Sequence, residues 1–551
     1  MRRITGGWMA AALLAGVVCH AQTAYDVVLR NGRIVDGTGA PWYRGDVGVR
    51  AGKIAAIGRL EGAGSARVID VRGMVIAPGF IDMMGQTAAP FLKDRRAAVN
   101  LLTQGITTIN CGEGASDAPL GEAEGRSRGW RSMREYFAVL ERAGLPMNAV
   151  QTVGHTQVRT LTVGLEDRQA TPEQMGHMKA LVREAMEAGA IGLSTSLIYP
   201  PAVFASEAEI TELAKVAGEY GGRYYTHMRN EGDRLLEAID EALRIGREAG
   251  TPVHIFHLKT AGRANWGKMD LAIARIQAAR AAGEEVAADI YPYVNNGLGI
   301  RALIHPRHSA QGPEELLRRL DDAATRTVIR GEMETGTGWE NWYGHVGHDW
   351  DRVVVAGMEA AEFAPHNGKS IGEIARATRR DAWEVFFAIA RVGAFAMPQS
   401  MSEANKIKAM RQEFISFDTD AGPAPAGGAQ RVSHPRAYGA FPRVLARYVR
   451  DLGVLSLEGA VQRMSAVAAN EIMAYDRGRL SVGLAADIVV FDERAVRDRA
   501  TFAEPDLPSE GMRYVLVNGA LVIEDGKYTG AAPGKVLRSP YASRRAAGLA
   551  E

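Results

Sequence analysis

Cysteine is nearly absent: Cys19 and Cys111 are the only two in 551 residues. Cys19 falls in an N-terminal segment that reads as removable, so one mature chain can form no disulfide and must rely on a packed core. Net charge is lacking as well. With 65 basic and 64 acidic residues the balance is +1, which leaves no electrostatic footprint for nucleic acid. After the N-terminal segment no apolar run is long enough to span a membrane. Histidines crowd with tryptophans at Trp339, Trp342, His345, His348 and Trp350, but no cysteine accompanies them, which argues against a zinc cluster there.

What is present is a soluble globular composition, 46% hydrophobic and 23% charged. The length exceeds one ordinary core, so a large domain with a smaller satellite, or two to three domains, is expected. Met1–Ala21 begins with Arg2 and Arg3, runs apolar from Trp8 to Val18 and ends in Cys19-His20-Ala21. That is the pattern of a cleaved bacterial Sec-type signal, predicting a periplasmic or secreted protein with no membrane attachment once residues 1–21 are gone.

Residues 22–82 read as short strands and turns, with alternating Val27, Leu29, Val47 and Val49 and hairpin signals at Asn31-Gly32, Asp36-Gly37 and Ala51-Gly52. Residues 478–541 repeat that style before a tail at 542–551, so the two chain ends are expected to pair into one small β-sandwich. Residues 83–477 alternate strand and helix. A helical stretch spans Asp94–Gln104, and strands are expected at Ile106–Asn110, Ala190–Leu197, Arg223–Arg229, Pro252–Lys259 and Glu285–Tyr293. Between them Ser206–Tyr220, Gly232–Gly250 and Lys268–Gly283 carry helical periodicity. Repeated βα units predict an α/β fold built on a (β/α)8 barrel, with its active site at the strands' C-terminal ends. From about 298 to 365 the pattern weakens, which reads as an insertion over the barrel mouth and a candidate lid.

Chemistry-bearing residues sit where barrel strands end. Ile106–Asn110 leads to Glu113 between two glycines, Arg223–Thr226 to His227, and Val253–Phe256 to His257, with Lys259 on the same face. His254 is offset from His257 and assigned to packing. The apolar run Phe414–Phe417 ends in Asp418, Thr419 and Asp420, of which Asp420 is the candidate acid/base. Two imidazoles and a carboxylate suit Zn²⁺ with a position open for water, where the ion would acidify water and polarise a carbonyl.

The ordered segments NGRIVDGTGAP, APGFID, QGITT, GLSTSLIYPP, YYTHMRNEGDRLLEAIDEAL, HLKTAG, DIYPY, TDAG, HPRAYGAFPRVL, LAADIVVFD and VNGALVIEDG resemble the N-acyl-D-amino-acid deacylase (D-aminoacylase) family of the amidohydrolase superfamily. The resemblance runs from about Tyr25 to Tyr541. It implies a distorted (β/α)8 TIM-like barrel plus a β-sandwich from both chain ends, and zinc-dependent hydrolysis of an amide on a small molecule with a free carboxylate. It implies metal binding at His227 and His257, catalysis by Asp420 with Tyr199 near the scissile carbonyl, and substrate-carboxylate binding by Lys259, Tyr291 and Arg436.

Two departures accompany it. The family's His-x-His after GFID is replaced by GFIDMMGQT, putting Met84 and Gln86 on the histidine positions, where they are poor zinc ligands. The family's metal-binding cysteine falls on Glu113 when aligned through Ala118-Pro119, or on Cys111 when aligned through Asn110-Cys111-Gly112. Glu113 needs no gap, and with His227 and His257 it resembles the single-metal Glu-His-His site of some amidohydrolases. One zinc per chain is therefore expected. The competing readings are a peptidase or other amide hydrolase and, from another class, a non-catalytic periplasmic binding protein with a degenerate metal site.

Overall fold

The computed structural model describes residues 25–62, 64–424 and 434–542. The expected signal segment 1–21 and the tail residues 543–551 lie outside them. A six-stranded and a three-stranded sheet meet where Asn148–Gln151 runs on, past Thr152, into Val153–Gly154, so that together they supply the eight strands of a barrel. In order these are Phe80–Asp82, Ile106–Cys111, the Asn148–Gly154 strand, Gly192–Ser196, Arg223–His227, Val253–Ile255, Val286–Ile290 and Ile415–Phe417. Every neighbouring pair is parallel. Closure joins last to first: the Met83 amide donates to the Phe417 carbonyl at 3.3 Å. The Asp82 carboxylate accepts the Thr419 amide at 2.9 Å and its hydroxyl at 2.6 Å.

Helices cover these strands for the reasons their sequences suggest. Ser206 caps Glu207–Gly218 through the Glu209 amide. Leu235–Ala249 buries Leu235, Ala238, Ile239, Ala242 and Ile245 on one face and stops at Gly250, whose φ of 64° is left-handed. The helix expected over Asp94–Gln104 is instead a capped 3-10 turn, Arg95–Ala98, followed by Val99–Leu102. Its Asn100 side chain donates to the Gly422 and Ala437 carbonyls, so part of this segment serves tertiary contacts.

The chain ends share a nine-stranded sheet. Val75–Pro78 pairs antiparallel with Ile488–Phe491, and Leu29, Val47, Ile76, Ile488 and Leu516 lie in its core. Ala51-Gly52 makes the expected two-residue turn, both residues at positive φ. Asn31-Gly32 does not turn the chain. It lies inside Tyr25–Ile34 as a bulge between Leu29 and Gly32, where the Ile76 side chain fills the space a Cβ at Gly32 would need.

The irregular stretch near 298 is a packed unit. Leu298–Gly299, Val353–Ala356, Lys369–Ser370 and Phe395–Pro398 form an antiparallel sheet, so the unit extends to Pro398 rather than ending near 365. Trp339, Trp342, Tyr343, Trp350, Trp383 and Phe386 lie in its core, with Tyr343 and Trp350 rings stacked at 4.3 Å. The same core takes in Ile198 and Ala261 from barrel loops and packs against Tyr199, which seats the unit over the mouth. Many of its buried aromatics sit in short turns, so no helical or strand periodicity announces them.

Candidate active site

Each strand end delivers its residue differently. Glu113 stands between Gly112 and Gly114, both at positive φ. A Cβ at Gly114 would meet the Ser196 amide at 2.5 Å, so glycine lets this loop press against the fourth strand. His227 ends the fifth strand. His257 follows the sixth at a φ of 38°, its amide hydrogen-bonded to Asp289. Asp420, after the eighth strand, also has positive φ, 43°.

Glu113, Tyr199, His227, His257, Lys259, Tyr291 and Asp420 line one chamber of about 30 Å³ together with Glu231 and Trp342. Arg436 lines the wider mouth, about 400 Å³, which shares Glu113, Tyr199 and Asp420 with the chamber. Ligand-type atoms of Glu113, His227 and His257 lie within 4.8 Å of one another. Glu113 Oε1 is 2.8 Å from His227 Nδ1 and 3.2 Å from His257 Nε2. Burial alone would raise the Glu113 carboxyl, but the two imidazoles hold it well below the usual carboxylate range. One carboxylate oxygen and two imidazole nitrogens converging on one point are a donor set that fits zinc. Cys111 lies elsewhere: it is fully buried in the apolar core, and burial pushes its thiol well up.

Past the first strand stand Met84 and Gln86. Met84 is 1% exposed and packs with Ile81, Val150, Ile191, Tyr225 and Phe256. Gln86 instead donates through Nε2 to Glu113 Oε2 at 2.9 Å and to Asp420 Oδ1 at 3.0 Å. Its amide lies between the two carboxylates. The other Asp420 oxygen accepts Arg436 at 2.6 Å. Burial pushes the Asp420 carboxyl above its ordinary range although Arg436 opposes this, a direction that suits a proton acceptor. Burial also lifts the Tyr199 phenol, with the Glu113 charge adding to it, so Tyr199 stays a neutral donor.

Around the Tyr291 ring stand three basic side chains, Lys406 at 4.2 Å, Arg436 at 4.7 Å and Lys259 at 5.7 Å. Lys259 is already engaged, 2.5 Å from Glu231 Oε1 and 2.7 Å from His257 Nδ1. Lys406 Nζ has no hydrogen-bond partner among the described residues, and burial followed by the Lys259 charge lowers it to about 7. It can shed its proton near neutrality, so no uncompensated charge need be stored there.

Sequence reading missed Lys406, which looks like one more charge on the helix Glu403–Met410. It also missed Glu231, four residues past His227 in a loop, where only the i+4 spacing within THMRNE offered a signal. His254, assigned to packing, is fully buried in an ionic network. Its Nε2 is 2.8 Å from Asp289 and its Nδ1 3.4 Å from Glu471. Against burial, these carboxylates raise it to about 9. Asp418 faces Asp289, and burial with that neighbour's charge keeps its carboxyl well above normal.

An apolar slot of about 320 Å³ begins at Tyr199 and Gly299 and is walled by Ile198, Pro200, Ile304 and Leu316. A larger cavity, about 570 Å³, lies beside the helix Leu235–Ala249, where Arg229 is paired with Glu241 and Arg244 with Glu207.

Residues 67–523 match the amidohydrolase family. The chain belongs to it. It is 35% identical to an N-acyl-D-glutamate deacylase of Alcaligenes xylosoxydans xylosoxydans, over 94% of this chain and 97% of that relative. With a D-aminoacylase of the same organism it shares 34%, over 93% and 97%. A solved D-aminoacylase superposes with a TM-score of 0.78 at 33% identity, covering 93% of this amidohydrolase and all of that chain. An N-acyl-D-glutamate deacylase from Bordetella bronchiseptica, solved with zinc and a phosphonate mimic of the tetrahedral intermediate, gives the same TM-score at 32% identity over 93% and 99%.

Proposed function

We propose that this amidohydrolase deacylates N-acyl-D-amino acids with one zinc ion held by Glu113, His227 and His257. The observation that carries the reading is the convergence of those three side chains on one point, with Asp420 lining the same chamber. A zinc ion bound there supplies Lewis acidity to water and to the amide carbonyl. Asp420 takes the proton of the attacking water and returns it to the leaving amine. Tyr199, held neutral by burial, donates to the carbonyl oxygen as negative charge builds on it. Arg436 and Tyr291 receive the substrate carboxylate, the guanidinium in bidentate fashion, and Arg436 is drawn from Asp420 as it does so. The acyl chain lies along the slot beyond Tyr199.

A single metal is supported by Gln86, whose amide occupies the gap between Glu113 and Asp420, and by the burial of Met84 in apolar surroundings. Export to the periplasm or beyond is supported by the sequence of Met1–Ala21. The test is metal content together with turnover of N-acetyl-D- and N-acetyl-L-amino acids. About one zinc per chain with hydrolysis of the D series is the expected result. Two zinc ions would overturn the single-metal site. Zinc and ligand bound without turnover would favour the binding-protein reading.

A further inference from the structure

An imidazole can offer a metal only the nitrogen that carries no proton. In this site the nitrogens facing Glu113 are His227 Nδ1 and His257 Nε2. The protons must then sit on His227 Nε2 and His257 Nδ1, and both of those atoms face Glu231. His257 Nδ1 is 3.1 Å from Glu231 Oε1, and His227 Nε2 is 3.7 Å from Glu231 Oε2. His227 Nε2 and Glu231 Oε2 are moreover buried without a hydrogen-bond partner among the described residues. Each is the partner the other lacks, a few tenths of an ångström beyond hydrogen-bond reach.

The backbone of Glu231 is clamped. Its amide donates to both oxygens of Glu340, at 3.2 and 3.1 Å, from the unit over the mouth. Its carbonyl accepts the Ala261 amide at 2.7 Å, and Asn230 Oδ1 accepts the Gly232 and Arg234 amides beside it. A side chain so held and 1% exposed has little freedom to serve any other site.

Resting on the zinc reading above, we propose that Glu231 is the positioning residue of this metal centre. Its two oxygens accept the N–H groups of His227 and His257 on the side away from the metal, fixing which nitrogen of each ring is free. Lys259, 2.5 Å from Glu231 Oε1, is its counter-ion. The 2.7 Å contact from Lys259 Nζ to His257 Nδ1 belongs to the competing tautomer, which would turn an N–H toward Glu113. Glu231 Oε1 lies 3.1 Å from that same ring nitrogen, and a carboxylate acceptor beside it favours the metal-binding form.

Zinc affinity by chelator competition, with metal-free melting as a control on folding, tests this in wild type, Glu231→Gln, Glu231→Asp and Lys259→Met. Glu231→Gln should weaken zinc about 10- to 100-fold, the usual cost of removing such a support, and Glu231→Asp should recover part of that loss. Lys259→Met should also weaken zinc. Nitrogen-15 spectra of the zinc-loaded wild type should show protons on His227 Nε2 and His257 Nδ1, a readout that needs no variant. Unchanged zinc affinity in Glu231→Gln, or protons on the opposite nitrogens, overturns the proposal. Lys259→Met with normal zinc affinity removes Lys259 from the support of Glu231. A wild type that binds no zinc removes the zinc reading itself and this inference with it.

Discussion

The first barrel strand and the fifth and sixth open onto one mouth with opposite chemistry. His227 and His257 present imidazoles, with Glu231 behind both rings and Lys259 beside it. Past Asp82, the first strand presents a methionine sunk among apolar side chains and a glutamine tying two carboxylates together. Asp82 at its end accepts Thr419 and Met84, so its carboxyl serves barrel closure. One side gathers imidazole nitrogens around a carboxylate oxygen. The other uses an uncharged amide where two acids would otherwise repel. The difference teaches that two buried carboxylates can stay in place side by side when a neutral donor fills the gap between them.

The strongest way to break that comparison is to remove the acid the two sides share. Asp420→Asn keeps the shape and can still accept from Gln86, but it cannot take a proton. Turnover should fall about 10²- to 10⁴-fold with zinc content unchanged. Retained turnover would take the acid/base role from Asp420.

Next in size is the ionic support under the fifth and sixth strands. His254 is raised from 6.5 to about 9 by Asp289 and Glu471 in spite of burial. Because its folded value exceeds its unfolded one, its stabilisation is fully present below about 6.5 and lost as pH climbs through about 9. The shift corresponds to something on the order of 3 kcal/mol. Metal-free protein melted between pH 6 and 9.5 should lose stability over that window. In His254→Phe the loss should flatten, and at pH 6 the variant should be the less stable of the two. A wild-type curve that is flat across the window would show that His254 is not charged in the fold.

Much of this was legible beforehand, for a physical reason. Barrel strands are short and their ends are where the chain must change direction, so residues such as His227, His257 and Asp420 are marked by the apolar run before them and the glycine or turn after. Glu231 and Lys406 carry no such mark. Their meaning depends on which side chains lie across from them, Glu231 on a ring from the next strand and Lys406 on the Tyr291 face, and sequence separation hides both. The unit from Leu298 to Pro398 was legible only as an irregularity, since its core is assembled from scattered tryptophans.

On the first-strand side, Gln86→Leu removes a donor shared by two carboxylates. Hydrogen bonds to charged groups contribute about 1.5–3 kcal/mol, so a loss of about tenfold or more in kcat is expected, with zinc still at about one per chain. Zinc rising toward two per chain would mean that Gln86 excludes a second ion rather than replacing it.

The smallest effect concerns the slot beyond Tyr199. Its walls, Ile198, Pro200, Ile304 and Leu316, are apolar, and the Arg301 guanidinium is turned away onto the Ala390 and Arg391 carbonyls. An apolar pocket distinguishes substrates by about 1–3 kcal/mol, so N-octanoyl amino acids should exceed N-acetyl ones by about tenfold in kcat/KM. Ala302 also lines the slot and is only half-buried, so Ala302→Phe can fill it without disturbing the core. That variant should erase the advantage of the longer chain and leave N-acetyl substrates as they were. Should the variant slow both series alike, the slot is part of the path to the chamber and not the seat of the acyl chain. Should a larger apolar amino-acid side chain, and not a longer acyl chain, lose its advantage in Ala302→Phe, the substrate lies the other way round across Tyr199.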